Sequence, residues 1–387
     1  MENFVFHNPT KIIFGKNTIP AIGDETRLFG QKALLVYGHG SIKKNTIYTT
    51  VVQSLTKAGI EIIEHPGVDS NPQLGHVRAG IKLAKRNDCQ VICAVGGGSA
   101  IDEAKAICAG ACVEHDVWKF FSGKKSLRKA LPLTCVLTLA ASGSEMNSGM
   151  VITNGDTEQK FGYGNKRLYP KVSILDPETT FSVPPDYTAY GAVDAISHVL
   201  EFYFTTTLQS TPVQDRLIEG LCITLMESSR TLLDDPLHYE SRANLMWCAT
   251  LALNGLTAAG LGRVGFPMHM IEHSLSALYD IPHGAGLGVI MPGWMKERLK
   301  TDPNRLAQFG QRVFGLREQD HARCAGLAIG QLTNWLDAIH CPTNLQALSI
   351  PEKDVSKIAA NALALAKIWR LHEYDQLMIE SILRQCL

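Results

Sequence analysis

The feature of this chain that most constrains its fold is a change of pattern near residue 180. Before it, short apolar runs rich in β-branched residues alternate with amphipathic stretches of helical length. The strand candidates are 10–14, 33–37, 60–65, 91–95, 134–138, 150–153 and 172–175, with helical stretches at 46–58, 74–86 and 100–112. This alternation predicts βαβ units and a mostly parallel, Rossmann-like sheet.

Three prolines, Pro177, Pro184 and Pro185, interrupt any element that runs through the change of pattern. Helical periodicity dominates afterwards, at 187–205, 212–229, 240–260, 264–278, 303–314, 321–338, 352–367 and 372–385. A chain of 387 residues also exceeds the usual size of one core. We therefore predict an α/β N-terminal dinucleotide-binding domain over 1–183, followed by an all-α C-terminal domain over 184–387.

Composition excludes several classes of protein. Hydrophobic residues make up 45% of the chain, charged residues 19%, and the formal net charge is zero, so we expect neither general disorder nor a nucleic-acid-binding surface. The uncharged stretch 243–262 contains asparagines, threonines and glycines, which favours a buried helix and its continuation over a membrane span. No secretory signal is visible, and ten scattered cysteines suit free thiols in a cytoplasmic enzyme.

Acidic and histidine side chains recur at helical spacing in the second half. The chain has Asp194-x3-His198, then His269-x3-His273, then His283. Residues four apart lie on one face of a helix, and a carboxylate with imidazoles suits Fe²⁺, Zn²⁺, Ni²⁺ or Mn²⁺. Spacing alone leaves open which of His269 and His273 is a ligand. Because clefts between domains often hold sites, we expect this metal site to face the first domain.

A glycine-rich loop joins the strand candidate 91–95 to the helical stretch that follows it. The loop has Gly96, Gly97, Gly98 and Ser99, which allow the backbone to approach a ligand and lead to the free N–H groups of a helix N-terminus. The pattern is neither G-x-G-x-x-G nor a P-loop. It predicts a pyrophosphate-binding turn, with a simple tight turn as the alternative.

A second glycine loop follows the strand candidate 33–37, with Gly38, His39, Gly40 and Ser41 and then two lysines, 43 and 44. In dinucleotide-binding folds an acid at this place holds the ribose 2′-OH, and none follows here. The loop therefore favours NADP(H) over NAD(H), unless the lysines are merely solvated surface charges.

A third polar loop, TLAASGSEMN at 138–147, follows another strand candidate. Polar loops at strand ends are common ligand-binding segments. Composition alone does not identify the ligand of this loop.

Five segments together resemble the iron-containing alcohol dehydrogenase family, and most closely its branch of butanol dehydrogenases and NADPH-dependent aldehyde reductases. They are GGGSAIDEAKAI at 96–107, TLAASGSEMN at 138–147, GAVDAISHVLE at 191–201, HMIEH at 269–273 and HGAG at 283–286. The segments appear in order over nearly the whole chain, so the resemblance is specific for the family.

The resemblance implies roles for individual residues. Four metal ligands match Asp194, His198, His269 and His283, and His273 matches a further histidine near the nicotinamide that is not a ligand. The residues implied at the cofactor are Gly97, Gly98 and Ser99 at the pyrophosphate, Asp102 facing the cofactor, Thr138, Ser142 and Ser144 in the third loop, Lys160 at the nicotinamide ribose, and Gly38, Gly40 and Ser41 on the adenosine side. His39 departs from the branch, which more often has glycine there.

The activity implied is that of a metal-dependent alcohol dehydrogenase or aldehyde reductase. It would move hydride between NADP(H) and short-chain alcohols or aldehydes, with Fe²⁺ or Zn²⁺ in the interdomain cleft polarising the substrate oxygen. The candidate catalytic residues are His273, as a proton relay, and Asp102. We expect a homodimer with small-molecule substrates and no nucleic-acid or membrane partner.

Two other functions stay open at this point. A dehydroquinate-synthase-like lyase also combines a metal with a dinucleotide, but its phosphorylated substrate needs several basic groups. Near Asp194, His198 and His269 the sequence offers only Arg263 among mostly apolar neighbours. The other alternative is a metal- or nucleotide-binding protein without turnover.

Overall fold

The computed structural model describes all 387 residues and contains two compact units. One is formed by His7–Val183, and the other by Pro184–Leu387 together with Met1–Phe6. The first six residues group with the second unit, although the sequence assigned them to the first domain. Their attachment is a backbone hydrogen bond from Glu2 N–H to the Gly260 carbonyl, 2.9 Å long, with side-chain contacts around it. None of the helices combines the length and apolar character needed to cross a membrane.

A six-stranded parallel sheet forms the centre of the first unit, which confirms the predicted α/β class. Its strands are β1 (Lys11–Phe14), β2 (Lys32–Gly38), β3 (Glu61–Val68), β4 (Val91–Gly96) and β5 (Leu133–Leu137), with β8 (Val172–Leu175) after the hairpin β6 (Gly149–Asn154) and β7 (Gln159–Gly164). Their order is β1-β8-β5-β4-β2-β3. The chain leaves β2 toward β3 on one side and continues from β4 on the other, so the topology reverses between β2 and β4.

Helices pack on this sheet: α1 (Ile22–Arg27), α2 (Ile47–Lys57), α3 (Leu74–Arg86) and α4 (Gly98–Gly110), whereas the short α5 (Trp118–Phe121) packs against β7 of the hairpin. The central strands are continuous apolar runs because helices cover both of their faces. On α2 the residues Ile47, Val51 and Leu55 recur every four positions, and all three are buried in the core cluster with strands β2 and β4. Each such side chain contributes about 1.5–3 kcal/mol when fully buried.

The segment 150–153 was expected in the parallel sheet, and this expectation is wrong. It belongs to β6, which pairs antiparallel with β7 in a separate two-stranded sheet, with Thr153 opposite Lys160. Only four residues separate the two strands, which is enough for a hairpin but far too short for a parallel crossover. The sequence analysis did not predict β7.

The second unit is entirely helical, as predicted. Its helices are α6 (Pro185–Thr205), α7 (Pro212–Asp234), α8 (Tyr239–Ala252), α9 (Pro267–Tyr279), α10 (His283–Leu299), α11 (Pro303–Val313), α12 (His321–Ala338), α13 (Val355–Trp369) and α14 (Gln376–Arg384). Helix α6 begins at the Pro184–Pro185 pair, with proline at its first position. Every residue from Gly191 to Phe204 is buried, so α6 runs through the middle of the unit.

Two helix predictions differ from the structure. The helix expected over 240–260 ends at Ala252, because Gly255 and Gly260 take positive φ angles of 94° and 75°, in turns that contact the N-terminal segment. The whole of α10 was missed, since its glycines and Pro292 hide the helical pattern. These glycines have a packing role: a Cβ on Gly284 would lie 2.2 Å from the Tyr190 carbonyl oxygen on α6.

Candidate metal centre and nucleotide loops

The four predicted metal ligands lie together in the helical unit. Helix α6 carries Asp194 and His198, α9 carries His269, and α10 begins at His283. The Oδ1 atom of Asp194 lies 3.6 Å from Nδ1 of His198, from Nε2 of His269 and from Nε2 of His283. The structure thus brings one carboxylate and three imidazoles from three helices to one point.

Three buried polar atoms at this point have no hydrogen-bond partner: Oδ1 of Asp194, Nδ1 of His198 and Nε2 of His269. A buried polar atom without a partner costs about 1–3 kcal/mol, and three converging ones need an explanation. Ligand atoms of a tetrahedral site with bonds of about 2.0–2.2 Å lie about 3.3 Å apart, close to the spacing observed here. A divalent cation therefore fits this donor set in both chemistry and size.

Two further carboxylates, Glu201 and Glu272, are completely buried and orient the imidazoles. The Nδ1 atom of His269 is hydrogen-bonded to Oε2 of Glu201, and that of His283 to Oε2 of Glu272. A carboxylate on the far nitrogen fixes the tautomer and turns Nε2 toward a metal. Sequence reasoning missed both residues, although the SHVLE segment places Glu201 seven residues after Asp194, on the same helix face.

Glu201 has a second structural task at the start of α9. Its Oε1 atom accepts hydrogen bonds from the backbone N–H groups of Met268 and His269, in the first turn of that helix. These N–H groups have no partner within the helix, so the carboxylate of α6 acts as the cap of α9. One buried acid therefore fixes both the helix that carries His269 and the orientation of its ring.

The ionisation of the cluster agrees with metal binding. Burial raises the pKa of a carboxyl, but the imidazoles of His198, His283 and His269 hold that of Asp194 well below its usual range. Burial lowers the pKa of His198 to about 3. Burial also opposes charge on His269, yet Glu201 and Asp194 raise its pKa to about 10. Asp194 is thus anionic and His198 neutral near pH 7, and a cation would replace the second proton of His269.

His273 stands one helical turn after His269 and lies beside the cluster. Its ring centre is 6.4 Å from that of His269, 5.6 Å from that of His283 and 5.4 Å from that of Trp369. Phe266 packs edge-on against both His269 and Trp369. The surroundings of the cluster are therefore aromatic, with His273 as the adjacent titratable group.

The three polar loops predicted to hold a nucleotide follow neighbouring strands of the parallel sheet. The loop with Gly38, His39, Gly40 and Ser41 follows β2, the Gly97–Gly98–Ser99 turn follows β4, and Thr138 follows β5. The strands pair in register, Tyr37 with Val95 and Gly96 with Leu137. The loops therefore lie side by side at the carboxyl ends of the strands, where the topology reverses, and open α/β sheets bind ligands at such a point.

The turn after β4 has little room for a side chain at Gly97 or Gly98. A Cβ on Gly98 would lie 2.2 Å from Oγ of Ser142, and one on Gly97 would lie 3.0 Å from Cβ of Leu139. Gly98 is the first residue of α4, and Ser99 Oγ donates to the Ser70 carbonyl. The loop 138–147 thus lies directly against the turn and the N-terminus of α4.

Asp102 and Ser144 belong to a hydrogen-bond network rather than to an open surface. Asp102 accepts from Ser144 Oγ and from the Val151 N–H, 2.5 and 2.8 Å away. The fully buried Lys105 donates to Ser144 Oγ, Asn147 Oδ1 and the Gly149 carbonyl, and burial lowers its pKa to about 8. The network ties α4 to the loop 138–147 and to β6.

Lys160 comes to the same unit from the hairpin. It lies on β7, is buried, and donates from Nζ to Oδ1 of Asn71, 2.9 Å away. Asn71 belongs to the loop that follows β3. The hairpin therefore holds this lysine against that loop.

The adenosine-side loop has acidic neighbours that the sequence analysis did not detect. His39 Nε2 lies 2.6 Å from Oδ1 of Asp69, and Lys43 Nζ lies 3.5 Å from Oε2 of Glu64. No acid follows β2 in the local sequence, but Glu64 in the middle of β3 and Asp69 directly after β3 both reach the loop. His39 and Lys43 are therefore already paired with carboxylates.

Comparison with known proteins gives consistent matches over both units. The family pattern described as iron-containing alcohol dehydrogenase matches residues 9–177, and that of the C-terminal part of the Fe-containing alcohol dehydrogenase family matches 188–386. The chain is 40% identical to the probable NADH-dependent butanol dehydrogenase 1 of Bacillus subtilis strain 168, with 100% of each chain covered.

Two further relatives point the same way. The chain is 34% identical to the NADPH-dependent aldehyde reductase YqhD of Escherichia coli strain K12, over 89% of each chain. Its structure is similar to that of NADH-dependent butanol dehydrogenase A from Thermotoga maritima, with a TM-score of 0.96 and 44% identity, covering 100% of this chain and 99% of that one.

Proposed function

The chain belongs to the iron-containing alcohol dehydrogenase family, and on that premise we propose which residues perform its reaction. It is an oxidoreductase of alcohols and aldehydes that uses a nicotinamide cofactor and a divalent metal. We assign metal binding to Asp194, His198, His269 and His283. The observation that carries this assignment is the set of three buried, converging atoms without hydrogen-bond partners.

A bound Fe²⁺ or Zn²⁺ would act as a Lewis acid on the oxygen of the substrate, and the cofactor would supply or accept hydride. The protein supplies position and protons. Glu201 and Glu272 hold His269 and His283 in the tautomers that ligation requires, and the buried rings exclude water.

We propose that His273 relays the proton that the substrate oxygen gains or loses. Hydride addition to an aldehyde would leave an alkoxide that must be protonated, and His273 lies beside the proposed ligands, with its ring centre 6.4 Å from that of His269 and 5.6 Å from that of His283. An unperturbed histidine, with a pKa near 6.5, exchanges protons readily around neutral pH. Asp102 has a positioning role in this proposal, because both of its oxygens accept hydrogen bonds from the protein.

The proposed substrates are short-chain alcohols and aldehydes. Phe266 and Trp369 form apolar surroundings for the cluster and suit an alkyl group. The lyase alternative needs several basic side chains, but Arg263 is engaged with the Arg370 carbonyl in an exposed position. The geometry therefore favours an uncharged substrate.

We propose a modest preference for NADP(H) over NAD(H), carried by Ser41 and Lys44 of the adenosine-side loop. The neighbouring Lys43 and His39 are paired with Glu64 and Asp69, which weakens their attraction for a 2′-phosphate. An exposed charge contact is worth about 1 kcal/mol or less, so the preference should be at most about fivefold. The relatives are named for either cofactor, NADH in the butanol dehydrogenase and NADPH in the aldehyde reductase.

We also propose a homodimer in a reducing, cytoplasmic compartment. The exposed apolar side chains of Phe4, Val5 and Phe6 support association of two chains, and the ten unpaired cysteines support the reducing environment. Sedimentation equilibrium of the purified chain measures the oligomeric state directly.

The test of the function is a steady-state assay of alcohols and aldehydes of increasing chain length, with each cofactor, after loading with Fe²⁺ or Zn²⁺. We expect metal-dependent oxidation of NADPH by butyraldehyde that is lost on chelation and restored by the metal. Cofactor and metal binding without any turnover would support the non-catalytic alternative instead.

A further inference from the structure

A second cluster of metal-ligating side chains lies in the first unit, and nothing in the proposed reaction uses it. His65 is on β3, His76 on α3 and Glu103 on α4. Oε1 of Glu103 lies 2.5 Å from Nδ1 of His76 and 3.1 Å from Nε2 of His65, and the two rings stack with centres 4.1 Å apart. One ligand atom from each residue lies within 4.8 Å of the others.

The buried position of the Glu103 carboxylate is the feature of this cluster that most needs an explanation. Glu103 is completely buried on a helix whose other residues are mostly small or apolar, and its Oε2 atom has no hydrogen-bond partner. A buried carboxylate oxygen without a partner is costly unless a positive charge is present. As at Asp194, a buried carboxylate beside histidines has an oxygen without a partner, although here that atom is Oε2, while Oε1 faces both imidazoles.

The orientation of His76 adds a second argument. Its Nε2 atom lies 3.1 Å from the Pro66 carbonyl oxygen, which can only accept, so Nε2 carries a proton. The lone pair or second proton of His76 is then at Nδ1, the nitrogen that faces Glu103. Metal-bound histidines commonly donate the far N–H to a backbone carbonyl in this way.

Space for the His65 ring comes from a glycine on the neighbouring helix. A Cβ on Gly80 of α3 would lie 2.8 Å from Nε2 of His65 and 2.4 Å from Cδ1 of Ile107. A Cβ at this position would fit only if the His65 ring and the end of the Ile107 side chain moved. The position of the imidazole is therefore built into the packing of α3 against α4 and β3.

We propose that His65, His76 and Glu103 bind a second divalent cation of the Zn²⁺ or Co²⁺ class, separate from the Asp194 cluster. Two imidazoles and one carboxylate suit such ions and leave a fourth position for water. Ligand atoms about 3.3 Å apart require the present contacts to open by less than about 1 Å. Binding displaces the protons that now lie between the nitrogens and Oε1, so affinity falls as pH is lowered.

The ion would link β3, α3 and α4. Helix α4 begins at Gly98, in the turn proposed to hold the pyrophosphate, so the second ion would stabilise the nucleotide-binding unit rather than act on substrate. Ligand binding to the folded state raises the thermal midpoint, by about 5–10 °C at a hundredfold excess over Kd for a unit of this size.

The experiment counts metal ions per chain in full-length proteins. Wild type, His76→Gln, Glu103→Gln and the exposed-histidine control His7→Gln are loaded with Co²⁺, desalted and analysed by inductively coupled plasma mass spectrometry. Circular dichroism shows which variants are folded. We expect wild type and His7→Gln to hold one ion more than His76→Gln and Glu103→Gln, with a visible d–d absorption that the two variants lose in part.

The comparison does not depend on the Asp194 cluster, which is intact in all four proteins. Equal metal content in wild type and either folded cluster variant overturns the proposal, because the three residues then form only a hydrogen-bonded cluster. Loss of the same ion in His7→Gln also overturns it, because the ion then binds to surface histidines. If one cluster variant does not fold, the other decides.

Discussion

The two candidate binding regions of this chain use opposite parts of the polypeptide. In the helical unit the site is made of side chains: Asp194 and three imidazoles from three helices, held by the buried acids Glu201 and Glu272. In the α/β unit the turn proposed to hold the pyrophosphate offers backbone instead, at Gly97 and Gly98, where there is little room for a side chain. The two sites should therefore respond to opposite kinds of substitution. Metal binding should be lost when a ligand side chain is removed, whereas cofactor binding should weaken when a side chain is added to the glycine turn.

The largest effect is expected from removing a proposed ligand. Asp194→Ala, His198→Ala, His269→Ala or His283→Ala should each release the metal and lower kcat by at least about 100-fold, since even supporting groups around a metal are worth 10- to 100-fold. Metal analysis of the purified variants is the measurement. A variant that keeps a full complement of this metal removes its residue from the ligand set.

The substitution His273→Ala distinguishes three possible roles of this histidine beside the metal site: proton relay, metal ligand and packing. If His273 relays a proton, the variant should keep its metal and lose about 10²- to 10⁴-fold in rate. Loss of the metal would instead make His273 a ligand, and unchanged rate with a lower thermal midpoint would leave it only a packing role. Metal content, kcat and thermal midpoint are therefore measured on the same preparation.

In the backbone site, Gly98→Ala should weaken cofactor binding by about 10- to 100-fold. The added methyl lies 2.2 Å from Ser142 Oγ, and overpacking of this kind costs about 1–3 kcal/mol. Cofactor Kd is measured by fluorescence titration. The double variant Gly98→Ala/Ser142→Gly should recover part of the affinity, and a Gly98→Ala protein with wild-type Kd would show that the turn does not contact the cofactor.

The smallest effect concerns cofactor choice. Asp69→Asn removes the acid beside His39 and should raise the NADP(H) to NAD(H) ratio of kcat/KM by about fivefold, the worth of one exposed charge contact. His39→Asp should shift the ratio in the opposite direction, through repulsion of the 2′-phosphate. If neither substitution alters the ratio, the adenosine-side loop does not select the cofactor. A preference of the wild-type protein for NADH would contradict the proposed NADP(H) preference itself.

Much of the fold was predictable because its signals are local. Strand-length apolar runs and three- to four-residue periodicities are properties of single elements, and they predicted the parallel sheet and the helical second unit, including a helix over 187–205 that the structure begins two residues earlier, at Pro185. The failures have local causes too. The glycines and Pro292 of α10 conceal a helix that needs small residues to pack on α6, and the apolar run 150–153 fits a hairpin as well as a parallel strand.

For the candidate sites, the sequence by itself determined the residue types and their spacing along each element: the Asp194–His198 pair, the His269–His273 pair and the glycine turns at strand ends. Only the tertiary structure decided the partners. Glu201 reaches His269 across 68 positions, Asp69 reaches His39 across 30, and Glu103 of α4 meets His65 of β3 and His76 of α3. The physical reason is range: helical spacing follows from the geometry of one backbone turn, whereas the charge that surrounds a side chain depends on which elements pack against it.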